Sequence, residues 1–112
     1  MLNTSSLKLN RDFRRLYSKG QSYAGGYIVI YAMKNRIHYK RLGLTVGKTF
    51  GKAVKRNRIK RLMRESYRYL EDKLPDGYDF ICVARTRAEG KSLDQIQRDM
   101  EYAFVKLGLI NR

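Results

Sequence analysis

Between Lys48 and Arg68 the chain reads KTFGKAVKRNRIKRLMRESYR, which holds nine of its 25 Lys and Arg residues and one acid, Glu65, a net +8 over 21 residues. Cations at that density suit one kind of chemistry. They neutralise closely spaced phosphates and release the counterions condensed on them. Duplex or folded RNA presents such an array, so nucleic acid is the first partner to consider.

Hydrolytic chemistry by the protein alone would need an acid/base pair or clustered metal ligands. The only histidine, His38, falls in an expected hairpin turn with no nearby acid. Asp76 and Asp79 flank a turn, and Asp94, Asp99 and Glu101 point to different sides of one helix. No catalytic residue and no metal ligand is therefore assigned. The single Cys82 lies in an apolar run, FICVA, and reads as a small buried hydrophobe.

The segment must be positioned by a small protein. At 112 residues and 43% hydrophobic, the chain suits one domain spanning 1–112. A formal charge of +15 exceeds what solubility requires and costs stability by self-repulsion unless a polyanion offsets it. Membrane lipid is disfavoured as that polyanion. No stretch approaches the roughly 18 apolar residues of a membrane span, and the N-terminus lacks a signal peptide's apolar middle. A soluble, cytoplasmic protein is expected, with disorder in residues 1–6, which are polar and Ser-rich.

Periodicity supplies the elements. Asn10 is placed to cap a short helix with Phe13, Leu16 and Tyr17 on one side and Gly20 at its end. Tyr27 to Met33 reads as a strand with two apolar faces, Tyr27, Val29, Tyr31 and Met33 on one, so cover on both is expected. Arg41 to Gly47 reads as a second strand, paired with the first as a hairpin through a turn at 35–39. Ala53 to Leu70 reads as a helix, Tyr78 to Ala84 as a third strand, and Ser92 with Gln95 as a capping box opening a last helix that ends at Gly108. The order α-β-β-α-β-α gives an α+β or α/β fold, a small sheet covered by helices.

On the central helix, Ile59, Leu62, Met63, Ser66, Tyr67, Tyr69 and Leu70 fall within about 160° of arc and face the core. Opposite them Asn57, Lys60, Arg61, Arg64 and Arg68 form a stripe roughly 16 Å long, flanked by Arg56 and Arg58. Lys60/Arg64 and Arg64/Arg68 are like-charge neighbours that each cost a few tenths of a kcal/mol. Lys52, Lys55, Arg56 and Arg58 crowd the helix start, where each cation is disfavoured by roughly 0.3–1 kcal/mol and an anion is favoured. Phosphate would reverse both penalties.

Gly51 to Glu65, GKAVKRNRIKRLMRE, resembles the arginine-asparagine-arginine motif of the bacterial ribonuclease P protein component. The likeness continues in order through Leu9-Asn10-Arg11-Asp12-Phe13, the strand ending in Tyr31, Arg41 to Val46, and Ala84-Arg85. It implies an α+β fold of the ribosomal protein S5 domain 2-like type with a left-handed βαβ crossover. The implied activity is removal of the 5′ leader from precursor tRNA by an RNA-centred holoenzyme that requires Mg²⁺, with the protein as an accessory subunit holding no cofactor itself. Lys48, Lys52, Lys55, Arg56, Asn57, Arg58, Lys60, Arg61, Arg64 and Arg68 are then expected to contact the ribonuclease P RNA. Phe13, Tyr17 and Tyr31 match the lining of a cleft that receives the single-stranded leader, where bases stack on aromatic faces.

A ribosomal or ribosome-assembly protein is the main alternative, being equally small, basic and RNA-bound; an aromatic single-strand cleft separates the two. A DNA-binding module is disfavoured, since the stripe has one Asn and no Gln and the chain shows no helix-turn-helix spacing or dimerising heptad.

Overall fold

The computed structural model describes residues 3–111. Its elements are β1 (Thr4–Ser6), α1 (Asn10–Lys19), β2 (Gln21–Ala24), β3 (Ile28–Lys34), β4 (Lys40–Val46), α2 (Ala53–Leu70), β5 (Tyr78–Ala84) and α3 (Leu93–Lys106). The strands make one sheet in the order β1-β4-β5-β3-β2. β5 is antiparallel to β3 and parallel to β4, and α2 is the crossover between those two parallel strands. The fold is mixed α+β.

The hairpin expected between Tyr27–Met33 and Arg41–Gly47 does not form: β5 lies between β3 and β4 and hydrogen-bonds to both. Phe80, Ile81 and Cys82 of β5 are fully buried, so the strand with two apolar faces takes the position where both are covered. The loop at 35–39 spans two strand spacings, about 9–10 Å, across the start of β5. Asn35 secures it, its side chain donating to Tyr39 O (3.2 Å) and Asp79 Oδ1 (2.8 Å) and its backbone N–H to Gly77 O (2.8 Å).

Two short edge strands carry no sequence signal. β2, QSYA, is polar and four residues long, with no period to detect. β1 falls in the segment expected to be disordered, yet Thr4–Ser6 pair with Lys40–Leu42. Thr4 Oγ1 also bonds the buried Tyr67 hydroxyl (3.0 Å) and the Glu71 carboxylate. Met1 and Leu2 of that expected disorder lie outside the described residues.

The helices divide between the two faces. α2 and α3 cover one, over a core that includes Ile28, Ile30, Leu42, Phe80 and Cys82. Ile59, Leu62, Met63, Ser66, Tyr67 and Leu70 of α2 are buried as its periodicity requires. Tyr69 is not: it is 63% exposed, about 90° from the centre of the apolar arc, with Lys73 Nζ 5.7 Å from its ring centre. Burial raises the Cys82 thiol pKa, and the group stays a thiol beside Met63 Sδ at 3.3 Å.

The ends of α1 and α3 contrast. Ser92 and Gln95 form the expected capping box on α3, whereas α1 starts at Asn10 after an N-cap, Leu9, that has no side-chain oxygen to offer. Asp99 of α3 instead organises a loop elsewhere, accepting from the backbone N–H groups of Gly26, Tyr27 and Ile28 at 2.9–3.0 Å.

α1 lies alone on the second face, its Leu16 buried with Leu7 and Ile81. It is held there by charge. Asp79 of β5 is fully buried, accepts two hydrogen bonds from Arg41 of β4 at 2.7 and 2.8 Å, and lies 3.5 Å from Arg15 of α1. Asp12 of α1 lies 3.6 Å from the same Arg41. Asp79, expected from sequence to flank a turn, is a structural hub. Its turn neighbour Asp76 pairs with the buried Lys40 at 2.7 Å.

Burial alone would push the Asp79 carboxyl up, but hydrogen bonds from Arg41 and Asn35 and the charges of Arg41 and Arg15 outweigh it and hold the group below its ordinary range. With the folded pKa depressed, this contribution to stability is complete above the unfolded value of about 3.9 and is lost as pH falls through the lower folded value. Urea unfolding should show that acid-side loss in the native chain, and Asp79→Asn should reduce it. At pH 7 the same variant should cost about 2–4 kcal/mol, less than the roughly 3–5 of a fully buried pair, because the Arg41 side chain keeps 23% exposure.

Candidate nucleic-acid interface

α2 presents its cations to solvent with almost nothing to balance them. Lys48, Lys52, Lys55, Asn57, Arg58, Arg61, Arg64 and Arg68 are exposed, and Arg56 and Lys60 are half-buried. Of the nine cations, Lys55 alone has a carboxylate partner among the described residues, Glu89. Arg58 donates to the backbone O of Lys91 at 3.1 Å. The first turn of α2 contains no acid, and its N-cap, Lys52, supplies no side-chain hydrogen bond. Backbone N–H groups and lysines therefore meet at the same end, an arrangement that an anion would stabilise.

On the opposite face of the sheet, residues pointing toward α1 form rows across the strands. Strand register aligns Arg41–Asp79–Met33, then Gly43–Ile81–Tyr31–Ser22, then Thr45–Val83–Val29–Ala24. The ten residues of α1 make about 15 Å of helix, too little to cover strands of seven residues. Ile81 is buried under it, while Tyr31, Val29, Val83 and Thr45 remain half-buried. Cover was expected on both faces of β3; one is left partly open because its helix is short.

Phe13 and Tyr17 of α1 wall that opening. The Tyr17 ring meets the Tyr31 ring edge-on at 4.9 Å between centroids, and Phe13 follows at 6.4 Å from Tyr17. The Tyr17 hydroxyl lies 3.4 Å from Thr45 Oγ1. These three aromatic residues, dispersed in sequence, are one continuous surface. Phe13 reaches the sheet because position 43 is glycine: a Cβ there would stand 2.6 Å from Phe13 Cζ.

The two surfaces join. β1 pairs with β4 only as far as Leu42, so Gly43–Val46 form an edge with no strand partner on that side among the described residues. Over that edge runs a groove of about 200 Å³ lined by Phe13, Gly43, Leu44, Lys60 and Arg64. Sequence separated a cationic ridge from an aromatic cleft. The structure shows Lys60 and Arg64 of the ridge on the wall of the groove that Phe13 enters, an approach between residues so far apart in the chain that no local pattern could reveal it.

Comparison with known proteins gives one answer. Residues 1–108 match the family model for Ribonuclease P. The chain is 39% identical to the ribonuclease P protein component of Clostridioides difficile (strain 630), over 88% of this chain and 87% of that one. It is 45% identical to the ribonuclease P protein component of Natranaerobius thermophilus, over 91% and 85%. Among solved structures, the Staphylococcus aureus RNase P protein aligns with a TM-score of 0.85 at 36% identity, over 95% of this chain and 97% of that one. The RNase P protein from Thermotoga maritima aligns with a TM-score of 0.79 at 31% identity, over 88% and 93%.

The close approach of Gly43 and Phe13 is open to direct measurement. Gly43→Ala should cost about 1–2 kcal/mol in urea unfolding by overpacking against the ring. In a Phe13→Ala background the same change should be close to neutral, so the double-mutant cycle reads that approach itself. An equal cost in both backgrounds would show that the ring does not occupy that space.

Proposed function

The chain belongs to the ribonuclease P protein family, and from that membership we propose that it binds the RNA subunit through the α2 ridge and the precursor-tRNA 5′ leader through the aromatic cleft. Its part in tRNA processing is then that of a protein subunit in a ribonucleoprotein whose RNA performs the cleavage. The observation that carries this reading is the junction of the two surfaces: a ridge of largely unpaired cations, two of which, Lys60 and Arg64, line the groove that Phe13 enters. A ridge alone would suit any RNA. The groove suits an unpaired strand running off a structured one.

Each part has a physical task. Catalytic RNA and precursor tRNA are both polyanions, and their approach is opposed unless cations lie between them. Lys48, Lys52, Lys55, Arg56, Arg58, Lys60, Arg61, Arg64 and Arg68 supply those cations, and Asn57 offers an uncharged amide among them. Phe13, Tyr17 and Tyr31 offer π-faces to unpaired bases without requiring a sequence, at roughly 1–3 kcal/mol per stacked base.

Mg²⁺ enters this reading as a requirement of the RNA-containing holoenzyme. Among the described residues, no group of three or more His, Cys, Asp or Glu residues is placed to hold a metal ion. Asp79 and Asp99 are already committed to Arg41 and to three backbone N–H groups. Among the described residues, no helix is long and apolar enough to cross a membrane. The ribosomal alternative leaves the open aromatic face without a task.

Arg61→Ala or Arg64→Ala should weaken binding to a bacterial ribonuclease P RNA and lower the slope of log K against log salt by about one unit for each phosphate left unneutralised; an unchanged slope would remove those residues from the interface. Tyr31→Ala should lower holoenzyme affinity for precursor tRNA with a long leader by roughly 5- to 150-fold while sparing mature tRNA. At low Mg²⁺ the purified chain should stimulate leader cleavage by the RNA and cleave nothing alone. Cleavage by the protein without RNA would overturn the accessory role.

A further inference from the structure

The α2 ridge is one rim of the cleft; the other rim is charged too. α1 carries Arg11, Arg14, Arg15 and Lys19, preceded by Lys8, and its one acid is Asp12. Asp12 is buried and faces Arg15 and Arg41. Arg15 is further held by Asp79. Arg11 and Arg14 differ from Arg15. Both are exposed, and among the described residues neither side chain makes an ion pair or a hydrogen bond.

Their placement follows from the helix. Leu16 points into the sheet and Phe13 and Tyr17 into the cleft. At 100° per residue Arg14 lies about 60–100° beyond those two rings on the side away from the sheet, and Arg11 lies about 60° further around. Arg14 therefore projects from the outward side of α1, next around the helix from the aromatic row, and Arg11 from the same outward side one turn toward the helix start. Three residues apart, the two guanidiniums repel, and no carboxylate on α1 relieves them. The groove that Phe13 enters at the β4 edge is lined also by Lys60 and Arg64. A single strand whose bases stack on Tyr17 and Tyr31 must carry its phosphates away from the rings, toward solvent and the rims.

We infer that Arg11 and Arg14 form a second phosphate-binding rim, which with Lys60 and Arg64 clamps the backbone of an RNA single strand lying in the aromatic cleft. The inference rests on the assignment of that cleft to the leader, and it adds a phosphate grip that depends on leader length. Arg14 sets how firmly a strand is held once its bases have stacked, and Arg11 extends the track toward Lys8.

The test uses holoenzyme assembled from the full chain and a bacterial ribonuclease P RNA, with precursor tRNAs whose leaders are about two and about ten nucleotides long. Arg11→Gln/Arg14→Gln should lower affinity for the long-leader substrate several-fold and leave the short-leader substrate unchanged. The salt slope for the long leader should fall by about 0.7 for each phosphate that the variant no longer neutralises. Arg14→Lys, which keeps the charge, should restore most of the affinity in a background that retains Arg11.

Tyr31→Ala, measured alongside, separates the rim from the cleft. If Tyr31→Ala removes the long-leader advantage and the double arginine variant keeps it, the clamp is wrong and the cleft assignment stands. If neither variant changes the advantage, both are wrong. Equal loss for the two leaders, or a weakened protein–RNA complex without substrate, would place Arg11 and Arg14 on the RNA subunit and overturn the clamp.

Discussion

The geometry of the chain depends on one carboxylate. Asp79 sits at the start of the central strand, buried, and is shared by Arg41 of the neighbouring strand, Asn35 of the loop that bridges over it and Arg15 of the single helix on that face. An isolated charge there would be prohibitively desolvated, so the ion persists only because its partners converge from three directions. That convergence fixes where α1 lies. α1 packs on the sheet over a small apolar area, with Leu7, Leu16 and Ile81 as its buried members. Without the ionic tie, little would determine how far it sits from the open row of Tyr31 and Val29, and the width of the cleft would be undefined.

The same chain leaves most of its other charges unanswered. A formal +15 on 112 residues, with Glu89 the one acid paired to the ridge among the described residues, is self-repulsive by construction. The buried core under α2 and α3 must carry that burden in the free protein. Charges that serve the fold are buried and paired, as with Asp79, Lys40 and Asp12; on α2 only Lys55 and Arg58 are tied to the rest of the fold, through Glu89 and the Lys91 carbonyl, and Arg11 and Arg14 on the outer side of α1 have no such tie among the described residues. This division separates the ions that hold the fold from the cations that the fold leaves without a carboxylate.

Local pattern made the long elements legible. Ala53–Leu70 has both a clean apolar arc and a preceding glycine segment, α3 announces itself by Ser92 and Gln95, and β5 by its β-branched and apolar run. Thr4–Ser6 and Gln21–Ala24 are too short and polar to carry a period, and they exist because a neighbouring strand offers free edge groups. Tyr69 shows where the arc argument fails, at its margin. Strand order was illegible for a deeper reason: alternation says which residues share a face and nothing about which strand lies alongside. The aromatic trio could be chosen from sequence by resemblance, but the meeting of Phe13 with Lys60 and Arg64 depends on β4 having an open edge, a property of the assembled sheet alone.

The insertion of β5 between β3 and β4 also sets the order in which the chain can mature on the ribosome. β3 and β4 emerge early, separated by a short loop, and a hairpin between such strands closes in about 1–10 μs. Their native neighbour is complete only when Ala84 has been made, roughly 2–8 s after Val46 at about 5–20 residues per second. Throughout that interval the pairing favoured by proximity is the wrong one. A hairpin closed in that interval would have to open before the central strand could enter. Asn35, which later braces the loop across β5 through Asp79 and Gly77, has no such partners until then. The latch that secures the finished sheet is absent while the competing hairpin is available.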